Sequence, residues 1–458
     1  MPGESKIKNR KRLLHIPEFW LNRDNNHSLT RWISRQPIYL QTVWISLLAF
    51  LIYGCMYGLR KPFTVADFGT LSYLGIDYKV LLIIAQVIGY AISKFAGIGL
   101  ISSMKHHYRG VAIIGLNIIA EAALLMFAIV PPPLNIVFLF INGLPLGMIW
   151  GLVFSFLEGR KTTEILGTVL SISFIVSSGF VKSAGRYISD FLSLSPFQMP
   201  WVTGLVFLIP LIGFVWLLDR SPWPSAEDIA HRTKRIPMNK SQRKVFFMNF
   251  APGIVLLTAA YIILTVYRDL RDNFSAEIWD HLGQADNPMI FTWAELPAAF
   301  LVLLTMALTM GISDNMKAFM TNHWLILSGF LTIGFSTLLV YSGMLSPTYW
   351  MIGIGFGVYL GYLPFNSLIF ERMIASFGSA ANAGFLIYIA DSFGYLGSVS
   401  ALLIKTFGGQ NIGWYDFLMS ASLGLSIAGS ILLVASMLYF RLKYQKHLKN
   451  KLVTTHIL

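Results

Sequence analysis

Cysteine is almost absent from this sequence: Cys55 is the single one in 458 residues. An intrachain disulfide is therefore excluded, and a cysteine-built metal site has too few ligands. Charge is scarce as well. Asp, Glu, Lys and Arg make up 12% of the chain against 55% hydrophobic residues, with a mean hydropathy of +0.62. That charged fraction is about half what a soluble domain carries. So few charges cannot solvate so much apolar surface, and a lipid exterior resolves the mismatch. The common enzyme motifs are missing too: there is no GxxxxGK[ST] loop, HExxH, GxSxG or CxxC. The nine histidines lie mostly in loops or tails, with His106 and His107 in a basic loop rather than a ligand array. The expectation is a protein that is not an enzyme, has no cofactor or metal and does not draw on ATP.

What is present is positive charge beside apolar runs. The net charge is +13. Nucleic-acid binding is rejected as its cause, because the basic residues cluster in short segments next to hydrophobic stretches, which is how membrane topology is signalled. A spanning helix needs about 20 apolar residues. Runs of that kind number about twelve: 38–60, 78–102, 110–130, 134–157, 163–188, 199–218, 245–267, 289–312, 323–343, 349–370, 380–405 and 414–440. The fifth and eleventh contain ionisable residues and are expected to score weakly on hydropathy alone. No cleavable signal is evident, since the first run follows a polar, basic leader and no A-x-A-like site comes after it.

Lysine and arginine set the orientation. The leader (1–37), the tail (441–458) and every second loop are basic or mixed, among them Lys105/Arg109, Arg160/Lys161, Lys317 and Arg372. The alternate loops are uncharged, as at Pro131-Pro132-Pro133, or acidic, with Asp272, Glu277, Asp280 and Asp286. Both termini are expected in the cytoplasm. The polar segment 219–244 divides the chain into bundles 38–218 and 245–440 of six spans each, and is read as a tether. The halves echo each other. Span four reads Gly143-x-x-x-Gly147-x-x-x-Gly151 and runs into Glu158 and Arg160; span ten carries Gly353, Gly355, Gly357 and Gly361 and runs into Glu371-Arg372. Small residues at such spacing let helices approach closely, and their matched placement points to a parallel duplication.

The chemistry lies in ionisable groups inside apolar runs, because such groups are costly in lipid and normally face a cavity. The cations are Arg60, Lys94, Lys182, Arg186 and Arg268; the anions are Glu121, Glu295 and Asp391. The plainer reading of each is a structural ion pair or a side chain reaching to the headgroups, as expected of Lys405. Lys94 lies roughly 25 Å along its helix from Tyr78. Lys94, Glu121 and Asp391 sit mid-run, so each should have a partner or line water. Arginine forks match carboxylate and phosphate oxygens, and lysine adds a compact charge, so this set suits an anion. Tyr53, Tyr57, Tyr90, Tyr261 and Tyr267 lie near these cations and are candidates to hydrogen-bond a substrate body.

Four short stretches carry a resemblance. Tyr57-Gly-Leu-Arg60-Lys61-Pro-Phe63 and Gly89-Tyr90-Ala-Ile-Ser93-Lys94-Phe95 lie in spans one and two, Tyr267-Arg268 ends span seven, and Asn382-Ala-Gly384-Phe385 with Phe393-Gly394-Tyr395-Leu396-Gly397 lies in span eleven. Together they resemble the organophosphate:phosphate antiporter branch of the major facilitator superfamily. The resemblance implies an all-α membrane fold of twelve transmembrane helices in two pseudo-symmetric six-helix bundles, with alternating access and exchange of a phosphorylated metabolite for inorganic phosphate. It also implies that Arg60 and Arg268 clamp the phosphate and that Lys94 adds charge. The sequence departs from the branch at Phe174, where the family carries a binding-site histidine, and Lys182 and Arg186 are candidates to compensate.

The expected function is therefore a monomeric secondary transporter of a small organic anion, in a bacterial inner membrane. Substrate contacts are assigned to Arg60, Lys94, Arg268, Tyr57, Tyr90, Lys182 and Arg186, and coupling or pairing to Glu121, Asp391 and Glu295. Two other classes fit the same residues: a transporter-like receptor that senses an anion without turnover, and a proton-coupled carrier of a neutral or peptide-like solute.

Overall fold

In the computed structural model, residues 28–224, 228, 240–378, 383–408 and 412–455 are described. Most of the leader, most of the tether and Asn382 fall outside them. The chain is an all-α multi-pass membrane protein. Among the described residues, eleven helices are long and apolar enough to cross a membrane, and a bent pair raises the number to as many as 12. In hydrocarbon every backbone N–H and C=O must be satisfied within its own segment, which is why these runs are helices.

A short helix, α1 (Ser28–Ser34), precedes α2 (Ile38–Gly58). A 3₁₀ turn (Pro62–Val65) and a two-stranded hairpin, β1 (Ser72–Tyr73) and β2 (Ile76–Asp77), lead to α3 (Tyr78–Ser103), which the Asp77 side chain caps through the Val80 N–H. Then come α4 (His106–Ile129), α5 (Ile136–Leu157), α6 (Thr163–Leu192) and α7 (Gln198–Asp219). After the tether follow α8 (Lys240–Asn273), the short α9 (Ser275–His281), α10 (Ile290–Met310) and α11 (Asn315–Tyr341). The chain closes with α12 (Pro347–Ser367), α13 (Ile369–Ser376), α14 (Ala383–Phe407) and α15 (Trp414–Thr455).

Three features differ from the sequence reading. The tenth span is the irregular one: α12 qualifies only together with α13, to which it joins at a 48° bend. The fifth span is not weak on hydropathy, although the eleventh is the least apolar of those that qualify. The charged stretch after span seven is not a loop either. Helix α8 continues through Arg268, Asp269, Arg271 and Asp272 to Asn273, and all of these but the partly buried Arg268 are buried.

Helix α2 packs on α5, α6 and α7, α3 on α5, and α4 on both α5 and α7. Helix α8 packs on α14 and α15, α10 on α12, and α11 on α12 and α15. Contacts between these two sets run chiefly through α6 with α10 and α3 with α14. Large apolar side chains such as Ile209, Phe300, Leu308 and Ile431 are exposed on the outer faces, while Lys94, Lys182 and Asp391 are buried. This inside-out pattern is what a lipid solvent selects.

The glycine stripes make two of the contacts close, with different partners. On α5, a Cβ at Gly143 would lie 2.3 Å from the Gln86 carbonyl oxygen of α3, and one at Gly147 would lie 2.7 Å from that of Tyr90. On α12, a Cβ at Gly357 would lie 2.7 Å from the Gly329 carbonyl oxygen of α11, and one at Gly355 2.5 Å from the Arg271 guanidinium. The first stripe thus fixes where α3 presents Tyr90 and Lys94.

Gly143→Ala should push two backbones apart and cost about 1–3 kcal/mol. Gly115→Ala, with nothing within 4 Å of its Cβ, should cost little. Melting of the purified variants in detergent checks this, and equal melting temperatures would contradict the close contact.

Candidate functional site

Side chains from seven spans converge between the two sets of helices. Tyr53 and Tyr57 come from α2, Tyr90 and Lys94 from α3, Trp150 from α5 and Phe174 from α6. Opposite them are Arg268 from α8, Tyr362 and Asn366 from α12, and Asp391 and Tyr395 from α14. The enclosed space is about 10 Å³, room for roughly one water. The site is therefore contracted around its own side chains.

Arg60 stands just beyond the end of α2, buried, with its guanidinium 3.9 Å from the centre of the Tyr90 ring and 5.7 Å from that of Tyr57. Among the described residues it has no carboxylate partner, and its Nε has no hydrogen-bond acceptor. Lys94 is paired: Nζ lies 3.1 Å from Asp391 Oδ2. The Tyr261 hydroxyl donates to Asp391 Oδ1. Arg268 donates through Nη2 (2.7 Å) and Nε (3.1 Å) to Oδ1 of its neighbour Asp269, whose Oδ2 accepts from Ser398 at 2.7 Å. The Arg268 guanidinium also lies 4.2 Å from the centre of the Tyr362 ring.

A second charged layer lies toward the hairpin end. Lys61 and Lys182 share one carboxylate, that of Asp272, with Lys182 Nζ 2.6 Å from Oδ1. The Ser178 hydroxyl donates to the same oxygen at 2.5 Å. Lys79 pairs with Glu277 at 2.5 Å, and Arg271 with Glu295 at 2.6 Å. Near the other end, Arg372 meets Glu164 at 3.1 Å. Ion pairs between the two sets of helices therefore flank the cavity on both sides.

A larger cavity of about 370 Å³ lies at the tether end, lined by His106, Arg109, Glu158, Arg160 and Trp223 among others. Size alone would make it the first candidate. Its arginines are committed to holding the chain, however: Arg109 donates to the Ser155 carbonyl at 2.9 Å and Arg160 to that of Pro222. We read it as a clasp between α4, α5 and the segment after α7. Among the described residues no cluster of three or more His, Cys, Asp or Glu is placed to hold a metal.

Several residues expected at the site lie elsewhere. Glu121 is on α4 facing Gly204 of α7, with both carboxylate oxygens unpartnered and a Cβ on Gly204 only 2.2 Å from Oε2. Arg186 is half-buried on α6 and does not line the cavity. Tyr267 bonds Ser422 at 2.5 Å rather than facing the space. Lys182 and Glu295 belong to the hairpin-end layer. Phe174, at the expected histidine position, lines the cavity and packs 5.2 Å from Tyr53, ring centre to ring centre.

The sequence pattern of a family of unknown function, DUF5690, matches residues 62–443. The chain belongs to that family. The match takes in the cavity from Tyr90 to Tyr395 and the shared carboxylate of the second layer, while Arg60 and Lys61 fall just before it. The comparison with curated proteins gives no match.

Within this family member, sequence reasoning missed Asp269, Tyr362, Asn366 and Trp150, and left Lys61 and Lys79 without partners. Asp269 had a signal in its adjacency to Arg268. Lys61 and Lys79 had one in the acidic stretch after span seven, once that stretch is seen to be folded inward.

The shared carboxylate gives an asymmetry to test. Asp272→Asn leaves two buried lysines without a counter-charge and should destabilise by about 3 kcal/mol or more. Lys182→Met leaves a one-to-one pair with Lys61 and should cost clearly less. Thermal melts of the two variants decide it; equal losses would show that Asp272 does not serve both lysines.

Proposed function

We propose that this protein is a secondary transporter of an organic anion that works by alternating access, with a phosphorylated metabolite exchanged for inorganic phosphate as the cargo its resemblance favours. The observation that carries the reading is Arg60: a buried guanidinium, stacked on Tyr90, with no carboxylate partner among the described residues. An unpaired charge out of water is costly, and within a membrane it marks a ligand path. A bound anion is the counter-charge it lacks, and a guanidinium fork fits phosphate or carboxylate oxygens two at a time. Lys94 and Arg268 line the small cavity, which Arg60 adjoins through the Tyr57 and Tyr90 rings, and both have partners they can exchange for substrate.

The helix neighbours support the duplicated major facilitator arrangement. Spans one and seven each pack on the fifth and sixth helices of their own half, spans two and eight on the fourth, and spans three and nine on the fourth and sixth. Span two meets span eleven and span five meets span eight, as in two halves that rock against each other. The ion pairs on either side of the cavity are suited to alternate closing of the two ends. The basic loops and tail favour cytoplasmic termini, and a bacterial inner membrane is the location proposed with this reading. This is a carrier and not an enzyme.

Arg60→Gln should lower exchange of phosphate and sugar phosphate in proteoliposomes by at least about tenfold, the worth of one charge-assisted hydrogen bond. Arg60→Lys should keep part of it. Undiminished exchange in the glutamine variant, or equal transport of a neutral solute by both proteins, would overturn the anion reading.

A further inference from the structure

The Lys94–Asp391 pair has a peculiarity that the anion reading leaves unused. Lys94 borders the cavity, so an anion bound there competes with a carboxylate already in place. That carboxylate is divided between two holders: Oδ2 faces Lys94 at 3.1 Å, and Oδ1 accepts from Tyr261. Tyr261 has one hydroxyl proton, and with Asp391 as its acceptor, the Tyr362 hydroxyl 2.8 Å away donates back to Tyr261. Asn366 Nδ2 stands 3.5 Å from the same oxygen. Asp391 therefore keeps a polar holder when Lys94 leaves it. Lys94 in turn keeps the Tyr90 and Trp150 rings, each 5.5 Å from Nζ.

The charges around the cavity also need settling. Three cations, Arg60, Lys94 and Arg268, face two carboxylates, Asp269 and Asp391, so the contracted site carries one excess positive charge. A dianion docking on Arg60 and Lys94 would leave the Asp391 carboxylate beside it in a water-poor space, and like charges there repel strongly. A proton on Asp391 removes that repulsion and raises the excess to two, which matches a dianion.

We infer that Asp391 is the site's built-in counter-ion, and that its displacement from Lys94 couples the binding of each anion to the uptake of one proton. The inference rests on the anion reading above. The proton comes from water on the side open to the cavity and resides on Asp391 Oδ2, the oxygen that Lys94 vacates. Few groups compete for it. Lys94 and Tyr90 face Asp391 from α3, Tyr261 and Arg268 from α8, Tyr362 from α12, and Tyr388 and Tyr395 from its own helix. The short α13, which also packs on α14, carries Glu371 and Arg372; Arg372 is engaged by Glu164 and Asn315. Asp269, beside Arg268, and Glu164, the partner of Arg372, each hold an arginine of their own.

The test uses inorganic phosphate and the purified full chain. Calorimetry in buffers of different ionisation enthalpy counts protons taken up per phosphate bound. The wild-type protein should take up close to one more proton than Asp391→Asn, a difference that cancels the titration of phosphate itself. Binding that takes up a proton is favoured at low pH. Relative to Asp391→Asn, wild-type affinity should therefore fall as pH rises, by up to about tenfold per pH unit. Because Asp391→Asn strands Lys94, the paired variant Lys94→Gln with Asp391→Asn is measured as well, and should also lack the extra proton. The same proton count in wild type and both variants overturns the coupling while leaving the anion site standing. No phosphate binding by wild type, or binding indifferent to Arg60→Gln, overturns the anion reading and the coupling together.

Discussion

The cost of holding a fixed charge away from water governs the interior of this molecule. Arg60, Lys61, Lys94, Lys182, Arg268 and Arg271 are brought into the space between the helices or its margins, and nearly all find a carboxylate there. Removing one partner from such a pair is far more damaging than never having built it. Each pair therefore fixes the relative position of the helices that supply it. Lys94–Asp391 ties α3 to α14, and Asp272 ties α8 to both the turn after α2 and helix α6. In four of the ion pairs between the halves the cation comes from the first half of the chain and the carboxylate from the second, and at Glu164–Arg372 the polarity is reversed. Opposed signs across the interface draw the halves together beside the close packing of α6 on α10, where a Cβ at Gly179 would lie 2.3 Å from the Phe291 carbonyl oxygen.

Close packing supplies the accuracy those pairs need. A lysine can reach several partners, but only if its backbone stands at the right distance. Gly143 and Gly147 let α5 come against the backbone of α3, and in doing so aim Tyr90 at Arg60 and Lys94 at Asp391. On the other side, Gly355 leaves room for the Arg271 guanidinium, so that Arg271 reaches both Glu295 and the Met351 carbonyl. The two glycine stripes look alike in sequence, yet one brings helices together and the other also makes space for an ion pair.

Much of this was legible in the residues. Apolar runs located the spans, because hydrocarbon imposes one kind of structure on any segment that crosses it. Ionisable residues within the runs pointed to Arg60, Lys94 and Arg268 for the same reason. Partners were harder to read. Lys94 and Asp391 are 297 residues apart, and Lys182 and Asp272 are 90 apart; nothing local records that they meet. The helical continuation of α8 through a charged stretch was hidden because Asp272 and Arg271 are neutralised by side chains from elsewhere, and Arg268 by its own neighbour Asp269. Glu121 runs the other way. Its mid-span position promised a partner, yet it faces Gly204, and its function as a site residue has no support from its surroundings.

The aromatic lining explains why Arg60 can be left without a carboxylate at all. A tyrosine face stabilises a guanidinium by about 0.5–2 kcal/mol, which is enough to tolerate the charge and too little to quench it. A carboxylate in Tyr90's place would hold Arg60 more firmly, and an incoming anion would then have to displace it. Lys94 and Arg268 are held in that firmer way, Arg60 is not, and the difference orders the events of binding. On the proposed anion reading, substrate would meet Arg60 first, because of the three cations it alone has no carboxylate to displace. It would gain Lys94 and Arg268 only as Asp391 and Asp269 give way, and those carboxylates are the ties between α3 and α14 and between Arg268 and Ser398. On that reading, anion binding and loosening of the helix contacts would be the same exchange of partners, which is what a carrier requires if its cargo is to drive the change of shape.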